Sequence, residues 1–146
     1  MTRSTELQRD AEWPINDPRY RQASSHWSKE APAYDDAYRT REGSLYADLE
    51  YELIERYLKP GPGRRILEIC SGTGRNSLRL ARAGAQVQGI DVADEMVETA
   101  RRKAAEAGAS NVAFQVGNAL KLDFPDESFD AVVGTRFMYK IGRAHV

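Results

Sequence analysis

Cysteine is all but absent from this 146-residue chain: Cys70 stands alone, so no internal disulfide can form. Histidine is nearly as scarce, and His26 and His145 do not have the spacing of zinc ligands. No apolar run approaches the roughly 18 residues that a membrane-spanning helix needs. The opening M-T-R-S-T-E-L-Q-R-D lacks the apolar core of a secretory signal. The formal charge of -1 removes the electrostatic reason to expect nucleic acid or an anionic membrane as partner. No internal repeat or low-complexity tract is visible. The plain expectation is a cytoplasmic protein without a metal site.

What is present is ordinary for a globular chain, 41% hydrophobic and 29% charged, and long enough for one compact domain. Residues 1–26 are polar, contain Trp13-Pro14 and Asp17-Pro18, and read as a flexible arm. Residues 27–62 read as a helical cap. In it, Trp27 to Tyr38 suggests a short amphipathic helix broken near Pro32. A second helix runs from about Ser44 to Lys59, with Leu45, Leu49, Leu53, Ile54, Tyr57 and Leu58 at helical spacing. The run P-G-P-G at 60–63 ends it.

From residue 63 to 140 strands alternate with helices. Strands are expected at Arg65–Ile69, Gln86–Ile90, Val112–Val116 and Phe129–Gly134. Helices are expected at Asn76–Ala83 and Ala93–Ala107, ended by Gly84 and Gly108. This order predicts an α/β fold with a doubly wound parallel sheet. The basic run Arg101-Arg102-Lys103 falls late in the second of these helices, where cations suit the negative end of the helix dipole.

The chemistry gathers after the first strand. Glu68 interrupts Ile66, Leu67 and Ile69, and a carboxylate in a buried strand is costly unless something pairs with it. Directly beyond it comes Cys70-Ser71-Gly72-Thr73-Gly74, whose glycines allow a sharp turn and a close backbone approach to a ligand. The loop opens a helix, which places ligands at the carboxyl ends of the strands. The plain alternative pairs Glu68 with a nearby arginine and leaves the glycines to serve only the turn. At the tip of strand two stands Asp91, 17 residues beyond Gly74, close to the spacing of an acid that grips ribose hydroxyls. It could equally cap the next helix. Val92 and Met96 are apolar where an adenine face needs cover, and Met96 also fits helix core.

These residues make the chain resemble the class I S-adenosylmethionine-dependent methyltransferases of small-molecule type, over about residues 27–139. The family's first motif is an acid followed by G-x-G-x-G; here it reads Glu68-Ile69-Cys70-Ser71-Gly72-Thr73-Gly74, with Cys70 in place of the first glycine. A side chain at that point meets an unusual backbone angle or a close approach. A reactive thiol is the lesser reading, since no His or Lys adjoins it in sequence. The resemblance implies a Rossmann-like sheet, with Glu68 and the loop holding the methionine part of the cofactor and Asp91 both ribose hydroxyls. Where the family has G-D-A this chain has Gly117-Asn118-Ala119, whose asparagine keeps an acceptor for the adenine amino group. The stretch from Phe124 to Asp130 matches the family, and Gly134, Thr135 and Arg136 would end beside the transferred methyl group. The upstream W-S-K-E-A-P-A-Y-D-D is similar to the segment preceding the domain in quinone-biosynthesis methyltransferases. That similarity implies that Tyr34 lies over the cofactor; the alternative is that Trp27, Tyr34 and Tyr38 only pack the helix.

Methyl transfer from a sulfonium needs alignment more than acid–base chemistry, so no catalytic residue is named, and Tyr34 and Arg136 are read as site lining. Oligomeric state and the small-molecule acceptor are not legible. Two other functions share features. A nicotinamide-dependent oxidoreductase would use the same glycine turn and Asp91, but Glu68 would repel a pyrophosphate and Ser77 stands where its third glycine belongs. A non-catalytic nucleoside-cofactor-binding fragment is the other, because strand four is followed by no further strand. The final I-G-R-A-H-V, residues 141–146, resembles one reading frame of a common sequencing adapter. The expectation is a non-native tail on a gene that continues beyond about Tyr139.

Overall fold

The computed structural model describes residues 18–135. Most of the expected N-terminal arm, Arg136 and the expected tail lie outside the described residues. Helix α1 (Pro18–Tyr34) leads into a 3-10 turn at Asp35–Tyr38 and helix α2 (Arg41–Leu58). Strand β1 (Arg65–Ile69), helix α3 (Arg75–Arg82), strand β2 (Gln86–Asp91), helix α4 (Asp94–Glu106), β3 (Val112–Val116) and β4 (Ala131–Val133) follow.

The four strands form one parallel sheet in the order β3-β2-β1-β4. Register puts Ile66, Val87, Val112 and Ala131 on one row and Glu68, Gly89, Phe114 and Val133 on the next, all on the same face. That face carries the core. Tyr51 and Ile54 of α2 and Leu80 and Ala81 of α3 pack on Ile66 and Val87, while Val97, Ala100 and Ala104 of α4 pack on Phe114. Fully burying side chains such as Ile66 and Leu80 contributes roughly 1.5–3 kcal/mol each. At the foot of the sheet Arg65 grips Asp130 through both guanidinium and backbone, with contacts of 2.8–3.3 Å, and Asp130 N–H donates back to Arg65 O at 2.8 Å. The guanidinium pulls the Asp130 carboxyl down to about 2. This clamp aligns β4 beside β1.

The fold departs from two expectations. The first helix starts at Pro18, inside the expected arm, and runs through Pro32 before giving way to the 3-10 turn. Proline suits a first helical position because its missing N–H would be unpaired there anyway. In α2 the face toward the sheet is Ala47, Tyr51 and Ile54, with Leu58 half-buried, whereas Leu45, Leu49, Leu53 and Tyr57 are each more than half exposed. Helix α2 starts three residues earlier than expected, β4 is shorter than expected, and the remaining boundaries shift by a residue or so. Thr40 caps α2 by accepting from Gly43 N–H, and Lys59 closes it in the left-handed region (φ 47°) just before Pro60.

Candidate functional site

The site is built where β1 gives way to α3. Ile69 and Ser71 flank Cys70, whose φ of 54° lies in the left-handed region that disfavours a side chain. Gly72 (φ 53°) and Gly74 (φ 78°) continue the turn. A Cβ on Gly74 would lie 2.6 Å from the Phe114 ring, and one on Gly72 would lie 3.7 Å from Tyr34. The loop is stitched to β2 by two bonds, Ser71 N–H to Ile90 O and Gly72 N–H to Asp91 Oδ2, both 2.9 Å.

Glu68 is 2% exposed and accepts a very short hydrogen bond from the Ser77 hydroxyl of α3. Burial pushes its carboxyl up to about 7, against the opposing pull of Ser77 and Arg75. Ser77, which takes the place of a third glycine, thus has a structural duty. Asp91, at the tip of β2, accepts from Gly72 N–H on one oxygen and from Ala93 N–H (3.0 Å) on the other. Burial raises its carboxyl above the usual range while those backbone donors pull it down. Val92 N–H adds to that pull, and the carboxylate keeps acceptor capacity beyond these backbone bonds. The Cys70 thiol is pushed up to about 12, chiefly by burial and then by Asp91 and Glu68, so it is not a reactive thiolate.

A narrow cleft of about 30 Å³ brings together Tyr34, Glu68, Cys70, Ser71, Thr73, Arg75, Asn76 and Thr135. The other expected residues lie apart from it. Val92 is half-buried beyond Asp91, and Met96, 1% exposed, packs with Ala31 and Ala93 as core. Asn118 Oδ1 accepts from Leu120 N–H at 2.9 Å in a local turn, with Ala119 half-buried beside it. Tyr34 makes edge contact with Trp27 and a tilted contact with Tyr38, and its ring lies beside Gly72 of the loop. A larger open groove between α1 and α4, lined by Arg21, Ser28, Lys29 and Asp94, shares no residue with the glycine loop.

Several site residues were not singled out from sequence. Glu50 reaches down from α2 to Arg75 (2.7 Å) and Asn76 (3.0 Å), and Arg75 also stacks over Tyr38 at 4.3 Å. Arg75 occupies the first turn of α3, which holds no acid. A cation there opposes the helix dipole, and that misfit was the available signal. Asp35 accepts from Thr73 Oγ1 (2.6 Å) and pairs with Lys103 Nζ (2.7 Å), which gives Lys103 a partner beyond the helix dipole.

A parallel sheet with a glycine turn and two carboxylates at its carboxyl edge defines an α/β protein built to hold a nucleoside-type cofactor. Comparison with known proteins narrows the class: residues 66–144 match the methyltransferase-domain family, and the chain belongs to it. A demethylmenaquinone methyltransferase of Thermus thermophilus is 42% identical over 110 residues, covering 73% of this chain and 48% of that protein. The YcgJ structure from Bacillus subtilis matches with 36% identity and a TM-score of 0.55, over 57% of this chain and 36% of its own. The structure of the [4+2]-cyclase SpnF matches with 27% identity and a TM-score of 0.70, over 77% of this chain and 47% of its own. The chain therefore spans at most about half the length of these relatives. The SpnF likeness also means that the fold alone does not fix the reaction.

The residues present fit the family's S-adenosylmethionine. Ser71 Oγ, Arg75 Nη1 and Asn76 Oδ1 are buried without a protein partner, and all three line the cleft beside Glu68. Orphaned buried polar atoms are costly, and three converging on one cleft mark a place where a polar ligand completes the bonding.

Proposed function

We propose that the protein is an S-adenosylmethionine-dependent methyltransferase acting on a small-molecule acceptor, and that this chain carries its cofactor-binding half. The carrying observation is that set of three orphaned atoms. A free guanidinium N–H, a hydroxyl and an amide oxygen beside a carboxyl are the complement of a zwitterionic amino-acid group such as the cofactor's methionine end.

In this reading Arg75 and Ser71 face the carboxylate, while Asn76 and Glu68 face the ammonium. Asp91 offers its remaining acceptor capacity to the ribose hydroxyls. Val92, Asn118 and Ala119 border the adenine, and Thr135 and Tyr34 flank the sulfonium end. When bound, the cofactor supplies an activated methyl group; the chain orients it and keeps water out. The name of the Thermus relative supports a small-molecule acceptor. Among the described residues no helix is long and apolar enough to cross a membrane, and a cytoplasmic setting accords with the lone cysteine.

A nicotinamide cofactor is disfavoured by Glu68, because a carboxylate beside the glycine loop repels a pyrophosphate. Thermal-shift titration decides between them. At a hundredfold excess over Kd, S-adenosylhomocysteine should raise the Tm of the chain by about 5–10 °C. NADH should leave it unchanged. A shift with NADH and none with S-adenosylhomocysteine would reverse the assignment.

A further inference from the structure

The cleft holds about 30 Å³, room for only a water molecule or so and too little for the amino-acid end of a cofactor. One of its walls comes from the N-terminal segment. Tyr34, the last residue of α1, overhangs Gly72, and its ring would lie within van der Waals contact of any Cβ there. Asp35, the next residue, ties the end of α1 to the glycine loop and to α4. One carboxylate oxygen accepts from Thr73, itself 1% exposed in the glycine loop, and the other meets Lys103 from α4. Lys103 Nζ also lies 3.4 Å from Thr73 Oγ1, so the three groups close a triangle joining cap, loop and helix. The cap also meets α4 through the Ser28–Asp94 hydrogen bond at 3.0 Å and the small apolar cluster of Ala31, Ala93 and Met96 with Trp27 and Tyr34.

We propose that Asp35 is a positioning residue which, held by Lys103 and Thr73, latches the cap with Tyr34 over the glycine loop, and that this latch must release for a nucleoside cofactor to reach the cleft. The ion pair is about one-third exposed on each side, so water and salt can compete for it. That makes it a fastening that opens and reseals rather than a permanent part of the core. The location of the cofactor rests on the function proposed above; the latch itself does not.

The chain carries its own reporter. Cys70 is the only cysteine and lines the same cleft as Tyr34, where burial keeps its thiol protonated and inert. Alkylation by uncharged iodoacetamide at mildly alkaline pH, followed by intact mass, therefore reads how often the cap lifts and exposes it. In the ligand-free chain Lys103→Gln and Asp35→Asn should each speed labelling at least fivefold without moving Tm by more than a few degrees. Lys103→Arg should restore slow labelling, and added salt should speed labelling of the unaltered chain. Tyr34→Ala should label fast, with Lys103→Gln adding nothing further to it. Rates in folded Lys103→Gln and Asp35→Asn equal to the unaltered chain would overturn the latch. Should those variants not fold, labelling of the unaltered chain that ignores salt would overturn it instead. Saturating S-adenosylhomocysteine should protect Cys70. Absence of protection, with the variant rates still raised, would refute the cofactor assignment and leave the latch standing.

Discussion

Glu68 is the residue on which the site turns, and its cost is measurable. It is buried in a strand with one hydroxyl donor, and its carboxyl rises from 4.5 to about 7. Between those values the folded chain keeps a proton that the unfolded chain has released. Folding stability therefore falls as pH rises from about 4.5 to about 7, by up to roughly 3 kcal/mol. Glu68→Gln resembles the protonated form, so this share of the pH dependence should vanish in the variant. Urea denaturation of both chains at pH 5 and pH 7.5 measures it, and an equal loss in both would show that Glu68 is not responsible. Cys70 is the second irregularity. At φ 54° it carries about 1–2 kcal/mol of backbone strain that a glycine would avoid.

At the scale of elements, the β1–loop–α3 unit is held in shape by Phe114 beneath it. A Cβ on Gly89 of β2 would lie 2.5 Å from the Phe114 ring. Gly89→Ala should therefore cost about 1–3 kcal/mol through overpacking, and combining it with Phe114→Leu should recover part of that. Denaturant midpoints of the single and double variants test this; independent, additive losses would contradict the contact. The strands β1 and β3 and the glycine loop were legible in sequence because buried apolar runs and the acid–glycine pattern are local signals. The packed face of α2 was not. That helix has apolar residues at helical spacing on two sides, and periodicity does not say which side meets the sheet. Ala47 and Tyr51 do so, helped by Arg79 stacking over Tyr51 at 4.2 Å. The start of α1 was equally hidden, because Pro18 reads as a breaker until it is seen to occupy the first turn. The Asp35–Thr73–Lys103 triangle joins three distant parts of the chain, and no local pattern announces it.

At the scale of the molecule, the described residues form a four-stranded sheet whose helices α2, α3 and α4 all pack on the face of Ile66 and Phe114. Both carboxylates and the glycine loop gather at its carboxyl edge, and the N-terminal cap closes over that loop. The central claim is that this edge holds an S-adenosyl cofactor, with Asp91 on its ribose. Isothermal titration with S-adenosylhomocysteine, of the unaltered chain and of Asp91→Ala, tests it most directly. Saturable binding weakened about 5- to 150-fold in the variant, the equivalent of about 1–3 kcal/mol for lost charged hydrogen bonds, is the predicted result. Binding of equal strength in a folded Asp91→Ala, or no binding to the unaltered chain, would contradict it.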